Sequence, residues 1–128
     1  MTFTLTPIGE VRTEASKLPR HYTVSDVTGQ IVVNPAYAEG LRDILPGQKI
    51  VVLFIFDRSE TFTPQHLVQT PPHTGRETGV FSICSPVRPN PIGLSVLTVT
   101  AVSGNVLSVT GLDMMDKTPV VDIKPYIV

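Results

Sequence analysis

LSVLTVTAVSGNVLSVTGL, residues Leu94 to Leu112, reads as two apolar, β-branched runs separated by Ser103-Gly104-Asn105. Val, Leu and Thr alternate as a pleated, half-buried strand requires, and a short Gly/Asn break between two such runs marks a hairpin. Strands are therefore predicted over Leu94–Val102 and Val106–Leu112. Upstream, KIVVLFIF (Lys49 to Phe56) is a continuous apolar and aromatic run, the pattern of a strand buried on both faces. Val27 to Val33 is a further strand, closed by Asn34-Pro35. Thr2 to Val11 carries Phe3, Leu5 and Ile8 but is interrupted by Pro7, which predicts an edge or irregular strand. Gly79 to Ile83 and Thr118 to Val128, the latter broken at Pro125, complete the extended segments. One helix is predicted from Pro35, because Tyr37, Leu41, Ile44 and Leu45 recur at helical spacing until Pro46-Gly47 stops the run. One short helix among six or seven strands predicts an all-β fold, a small β-barrel.

Composition agrees. A chain of 128 residues suits one compact domain, 1–128, and neither repeat nor linker interrupts it. With 41% hydrophobic and 16% charged residues, intrinsic disorder is disfavoured. Twelve prolines and nine glycines favour short strands and shaped loops. The formal charge of −1 gives no bulk basic excess for phosphate binding, although a local basic strip stays open. Cys84 is the sole cysteine, so no intrachain disulfide forms, which fits a reducing compartment. Met1 to Gly9 lacks a basic, then apolar, leader, and Ile50 to Phe56 is far too short to span a bilayer. A cytoplasmic protein is expected.

Two segments carry candidate chemistry. In SPVRPNPIG (Ser85 to Gly93), Pro86, Pro89 and Pro91 each fix φ and push the preceding residue towards extended backbone. Arg88 and Asn90 both precede a proline and so sit on a stiff track, suited to a carboxylate, phosphate or purine edge. A rigid corner between strands explains the same spacing equally well. In GLDMMDKTPVVDIKPY (Gly111 to Tyr126), Asp113, Asp116 and Asp122 cluster in sequence. Asp122 and Lys124 share one face of an extended strand, either as a surface pair or aimed into a polar pocket. Asp116-Lys117-Thr118-Pro119 reads as a turn whose backbone groups could hold a ligand. His21, His66, His73 and Cys84 lack zinc spacing, so no metal is expected. No Gly-rich loop joins a strand to a helix, which excludes Rossmann and P-loop readings.

Taken together, GVFSICSPVRPNPIGLS (Gly79 to Ser95), GLDMMDKTPVVDIKPYIV (Gly111 to Val128) and the opening PIGEVRT (Pro7 to Thr13) resemble one family. It is the TsaA-like, or TrmO-like, tRNA threonylcarbamoyladenosine methyltransferases, small β-barrels that use S-adenosylmethionine. The resemblance runs from Pro7 to the C-terminus. It implies a six- or seven-stranded barrel, a homodimer, and methyl transfer from S-adenosylmethionine to the base nitrogen of threonylcarbamoyladenosine in tRNA. Matched by position, it also implies cofactor contacts at Pro19, Arg20 and His21, at Asp57 and Arg58, at Cys84, at Arg88 and Asn90, and at Asp116, Lys117, Thr118 and Pro119. This sequence departs from the family pattern at His21 for glutamine, Asp57-Arg58 for His-Gln, Cys84 for arginine and Lys117 for glycine. If that last position needs positive φ, the lysine is strained.

Three functional readings follow, one of them a methyltransferase that acts on another substrate. As an enzyme, the chain positions donor and acceptor through Arg88, Asn90 and the Asp116–Pro119 turn, with Asp122 and Lys124 shaping the pocket and no general base evident. Arg20, Arg58 and Arg76 are then the candidate RNA contacts. Alternatively, the clustered departures mark a non-catalytic small-molecule sensor that kept the barrel but altered the donor site.

Overall fold

A computed structural model describes residues 1–128. Six strands close a barrel in the order β1-β2-β7-β6-β3-β8, with β1 pairing back onto β8. They are β1 Gly9–Arg12, β2 Thr28–Val33, β3 Lys49–Ile55, β6 Ile92–Ser103, β7 Val106–Thr110 and β8 Pro119–Pro125. Two short strands, β4 Val68–Gln69 and β5 Thr78–Gly79, pair separately. Every ladder is antiparallel.

The hairpin of β6 and β7 forms where its sequence predicts. Gly104 takes φ 58°, the sign that a tight hairpin needs and that glycine adopts without steric cost. β6 is long because it serves two neighbours: Ile92–Thr98 pair with β3, and Thr98–Ser103 pair with β7. A register shift between Val99 and Ala101 lets the strand bend from one neighbour to the other. A second irregularity lies opposite Leu53 and Phe54, where Val121 is the extra residue of β8. It lets Val120 and Ile123 both point inward although they stand three apart.

Alternate residues fill the barrel. Val11, Ile31, Val52, Leu97, Val99, Leu107 and Val120 have no solvent exposure, and Leu112 and Met114 plug the core from the β7–β8 connection. Each such side chain contributes about 1.5–3 kcal/mol of burial free energy.

The structure corrects several expectations. β3 is buried on one face only: Ile50, Val52 and Phe54 are inside, while Val51, Leu53 and Ile55 are half-exposed. The first strand begins at Gly9 rather than Thr2, because Pro7 donates no hydrogen bond and pairing starts with Ile8 N to Val120 O at 2.8 Å. The helix exists as a 3₁₀ helix, Pro35–Leu41, with Leu41 its only buried side chain. Gly79 to Ile83 is not a strand: after β5 the chain makes a 3₁₀ turn at Val80–Ser82 that buries Val80 and exposes Phe81. Further 3₁₀ turns cover Tyr22–Val24 and Pro64–Leu67. No helix is long and apolar enough to cross a membrane.

Candidate functional site

A cleft opens where β3 ends and β6 begins. Phe54 and Phe56 form its floor, edge to face with ring centres 5.1 Å apart. Gly93 makes that floor possible, since a β-carbon there would lie 2.3 Å from Phe54 Cζ. The cleft has two lobes, of about 420 and 220 Å³, which share Phe54, Phe56, Pro86 and Asp113.

Arg20, His21 and Tyr22 wall the larger lobe on one side. His21 caps the 3₁₀ turn Tyr22–Val24, its Nδ1 lying 2.9 Å from Thr23 Oγ1 and accepting from Thr23 N. Ser25 Oγ fastens this loop by donating to the carbonyl of Leu112. On the other side stand Ile83, Cys84, Pro86 and Arg88. Arg88 Nη1 donates to the carbonyls of Ile83, at 2.8 Å, and Ser85, at 3.3 Å. It therefore braces the proline corner, and Gln69 on β4 supports it from outside by donating to Val87 O at 2.8 Å. The corner is a rigid turn, and Pro86 and Arg88 on it wall the cleft.

Asp57, Arg58, Met114, Met115 and Thr118 line the smaller lobe. Arg58 Nη2 donates to Asp116 O at 2.6 Å and to Thr118 Oγ1 at 3.3 Å, while its Nε lies 3.4 Å from Asp57.

Arg20, His21, Asp57, Arg58, Cys84, Arg88 and Thr118 thus come together from four separate stretches of chain. Pro19, Asn90, Asp116, Lys117 and Pro119 do not line either lobe. Asn90 is exposed, and its carbonyl closes a turn onto Ile92 N at 2.7 Å. The turn at Asp116–Pro119 has little backbone left for a ligand. Lys117 N donates to Val11 O at 2.7 Å, Thr118 O accepts from Val11 N at 3.0 Å, and Asp116 Oδ1 accepts from Thr13 N at 3.0 Å. Asp122 and Lys124 belong to the outer wall of the barrel, as an exposed ion pair of 2.8 Å beside Leu53 and Val51. They border a separate groove of about 660 Å³ at the opposite end of β3, which contains none of the cleft residues.

The cleft also contains a residue to which the sequence assigned no role. Asp113 accepts from Ser95 Oγ at 2.5 Å, and Ser95 is fully buried. Burial pushes the Asp113 carboxyl above its ordinary range, opposed by the Ser95 hydrogen bond and by the charge of His21. A signal was available: Ser95 occupies an inward position of β6 between Gly93 and Leu97, where a hydroxyl needs a partner. No group of three or more His, Cys, Asp or Glu is arranged to hold a metal ion.

The molecule is a closed antiparallel β-barrel with an aromatic-floored cleft at one end and arginines on the rim of that cleft. Comparison with known proteins narrows this. Residues 10–128 match the family described as the tRNA-methyltransferase O N-terminal domain. The chain is 39% identical over 95% of its length to an S-adenosyl-L-methionine-binding protein of Archaeoglobus fulgidus, of which it covers 88%. It is 42% identical over 98% of its length to a second protein of that organism, a "Probable S-adenosyl-L-methionine-binding protein", of which it spans only 34%. The crystal structure of TrmO from Pseudomonas aeruginosa superimposes with a TM-score of 0.78 at 28% identity, over 99% of this chain and 57% of that one. The chain belongs to the tRNA-methyltransferase O N-terminal domain family.

Proposed function

We propose that the two-lobed cleft binds S-adenosylmethionine and that the chain transfers its methyl group to the base nitrogen of threonylcarbamoyladenosine in tRNA. The observation that carries this reading is the fit between cleft and donor. The donor is an adenosine joined through a sulfonium to an amino acid. The Phe54–Phe56 floor suits the flat, apolar adenosine, and Arg20, Arg58 and Arg88 stand on the rim where a carboxylate can be met. When bound, the sulfonium supplies an activated methyl group together with its own leaving group. The protein's task is then to hold the acceptor nitrogen in line and to exclude water. Arg88 fixes the proline wall, Arg58 fixes the opposite lobe, and the exposed Arg20 and Arg76 are placed to meet RNA phosphates. With tRNA as acceptor, the place of action is the cytoplasm.

A homodimer fits the outer wall of the barrel. Ile55 faces Ile92, Leu53 faces Leu94, and Val51 faces Val96, which gives an unbroken apolar ladder on the outside of β3 and β6. Ile92 and Leu94 are 40% and 50% exposed. A contiguous apolar strip of this kind marks an interaction surface.

The alternative of a sensor with an altered donor site is favoured by Cys84, which lies exposed on the rim where the family resemblance implies an arginine. Calorimetric titration with S-adenosylmethionine and with its demethylated product is the first test. Nucleoside mass spectrometry of tRNA incubated with labelled donor is the second. Donor binding with label in threonylcarbamoyladenosine supports the enzyme; absence of donor binding by the folded protein overturns it.

A further inference from the structure

We infer that Asp113 accepts the proton released by the acceptor nitrogen, with Ser95 as the residue that positions its carboxylate. The inference rests on the methyltransferase reading above and names a base that the sequence did not reveal.

Three observations carry it. Asp113 is the only acidic side chain that lines both lobes, so it stands at the junction between the two halves of the cleft. Its Oδ1 accepts from the fully buried Ser95 Oγ at 2.5 Å, and the backbone N–H of Tyr22 also supports the carboxylate, so its orientation in the cleft is fixed. The one other carboxylate in the cleft, Asp57, is exposed and already paired, 3.4 Å from Arg58 Nε, and it lines the smaller lobe alone.

Chemistry supplies the need. The nitrogen of a carbamoylated adenine lies between an aromatic ring and a carbonyl. Its lone pair is delocalised over both, and it is a poor nucleophile while it keeps its hydrogen. Asp113 takes that proton as the new N–C bond forms and the donor's S–C bond breaks, the electron pair of the broken bond staying on sulfur. The nitrogen ends neutral and methylated, the donor leaves as a thioether, and the carboxyl gives up its proton to solvent. A partly desolvated carboxylate, more basic than an exposed one, suits this step.

Other groups facing this point are Arg20, His21 and Tyr22 from the loop before β2, Cys84 and Arg88 from the proline corner, and Arg58 with Asp57 after β3. Of these His21 is the rival base, so the test separates it. Single-turnover methylation is measured against pH on tRNA carrying threonylcarbamoyladenosine, for wild type, Asp113→Asn, Ser95→Ala and His21→Gln. Donor affinity is measured by calorimetry, and the Asp113 carboxyl is titrated by carbon NMR in the free protein. Asp113→Asn is expected to lower the rate about 100-fold or more with donor affinity kept. The acid limb of the wild-type profile should coincide with the NMR titration. Ser95→Ala should move that limb to higher pH, because the lost hydrogen bond favours the charged form. Full activity in Asp113→Asn, loss of donor affinity in step with rate, or an acid limb that vanishes in His21→Gln would each overturn the inference. A wild type that binds no donor overturns the methyltransferase reading itself, which is a distinct result.

Discussion

Arg58 Nη2 lies 2.6 Å from the main-chain oxygen of Asp116, joining the loop after β3 to the turn before β8. The same nitrogen reaches Thr118 Oγ1 at 3.3 Å, so one guanidinium spans the mouth of the smaller lobe. Its side chain is 43% exposed, which reduces the value of these bonds below that of buried ones. Arg58→Ala is expected to lower stability by about 1 kcal/mol and to weaken donor binding as the lobe loosens. Arg58→Lys should recover only part of either, since an ammonium lacks the guanidinium fork. Thermal melts and calorimetric titration check both; a variant with wild-type melting and affinity would remove Arg58 from the site.

Much of this arrangement was legible in the sequence, for reasons that differ from place to place. β2, β3, β6, β7 and β8 announce themselves because alternation and turn residues are local signals. The one-sided burial of β3 is not legible in the sequence because Val51, Leu53 and Ile55 are apolar without being in the core; their partners Val96, Leu94 and Ile92 continue the outer ladder instead. The turn at Asp116–Pro119 looked free for a ligand because nothing local reveals that Val11, over a hundred residues earlier, takes up its backbone groups. The role of Asp113 is only partly legible, because the inward Ser95 of β6 asks for a partner while nothing local names Asp113, eighteen residues later, as that partner.

Lys117 is the one non-glycine residue with positive φ, at 68°. The left-handed conformation brings a β-carbon against the following carbonyl, at a cost of about 1–2 kcal/mol. Lys117→Gly removes that strain but gives the unfolded chain more freedom, so a net gain of about 0.5–1 kcal/mol is expected. Equilibrium unfolding measures it. A loss of stability would mean that the lysine side chain makes compensating contacts.

The Asp113 carboxyl titrates higher in the folded protein than in the unfolded chain, because burial penalises its charge. The folded state therefore holds its proton over a window just above the ordinary carboxylate range, where the unfolded chain has already lost it. Stability from this group is fully present below that window and falls as pH rises through it. Wild type minus Asp113→Asn, followed by thermal melts across mildly acidic pH, should show that decline, and a flat difference would remove the effect.

Leu94 stands at the middle of the outer ladder, opposite Leu53, and is 50% exposed. Its side chain points away from the core and borders the larger lobe of the cleft, so Leu94→Glu leaves the barrel interior untouched. A charge there should break a homodimer that uses this face while changing the melting temperature of the monomer little. Sedimentation velocity separates the outcomes: wild type as a dimer and Leu94→Glu as a monomer support the assignment. A dimer in both moves the interface to another surface.

Gly93 provides the last and most local test. A β-carbon at this position would meet Phe54 Cζ at 2.3 Å, Phe54 Cε2 at 2.4 Å and Phe56 Cζ at 2.9 Å. Phe54 is 3% exposed and packed in the core, so it has no room to retreat. Gly93→Ala should therefore cost about 1–3 kcal/mol as an overpacking defect and tilt the floor of the cleft, weakening donor binding beyond the loss in stability. Gly79→Ala is the control: nothing lies within 4 Å of its would-be β-carbon and its φ of −62° suits any residue. That change should be neutral or slightly stabilising by thermal melt. Equal effects at the two positions would mean that the Phe54–Phe56 floor yields, and that contact with Gly93 does not set its shape.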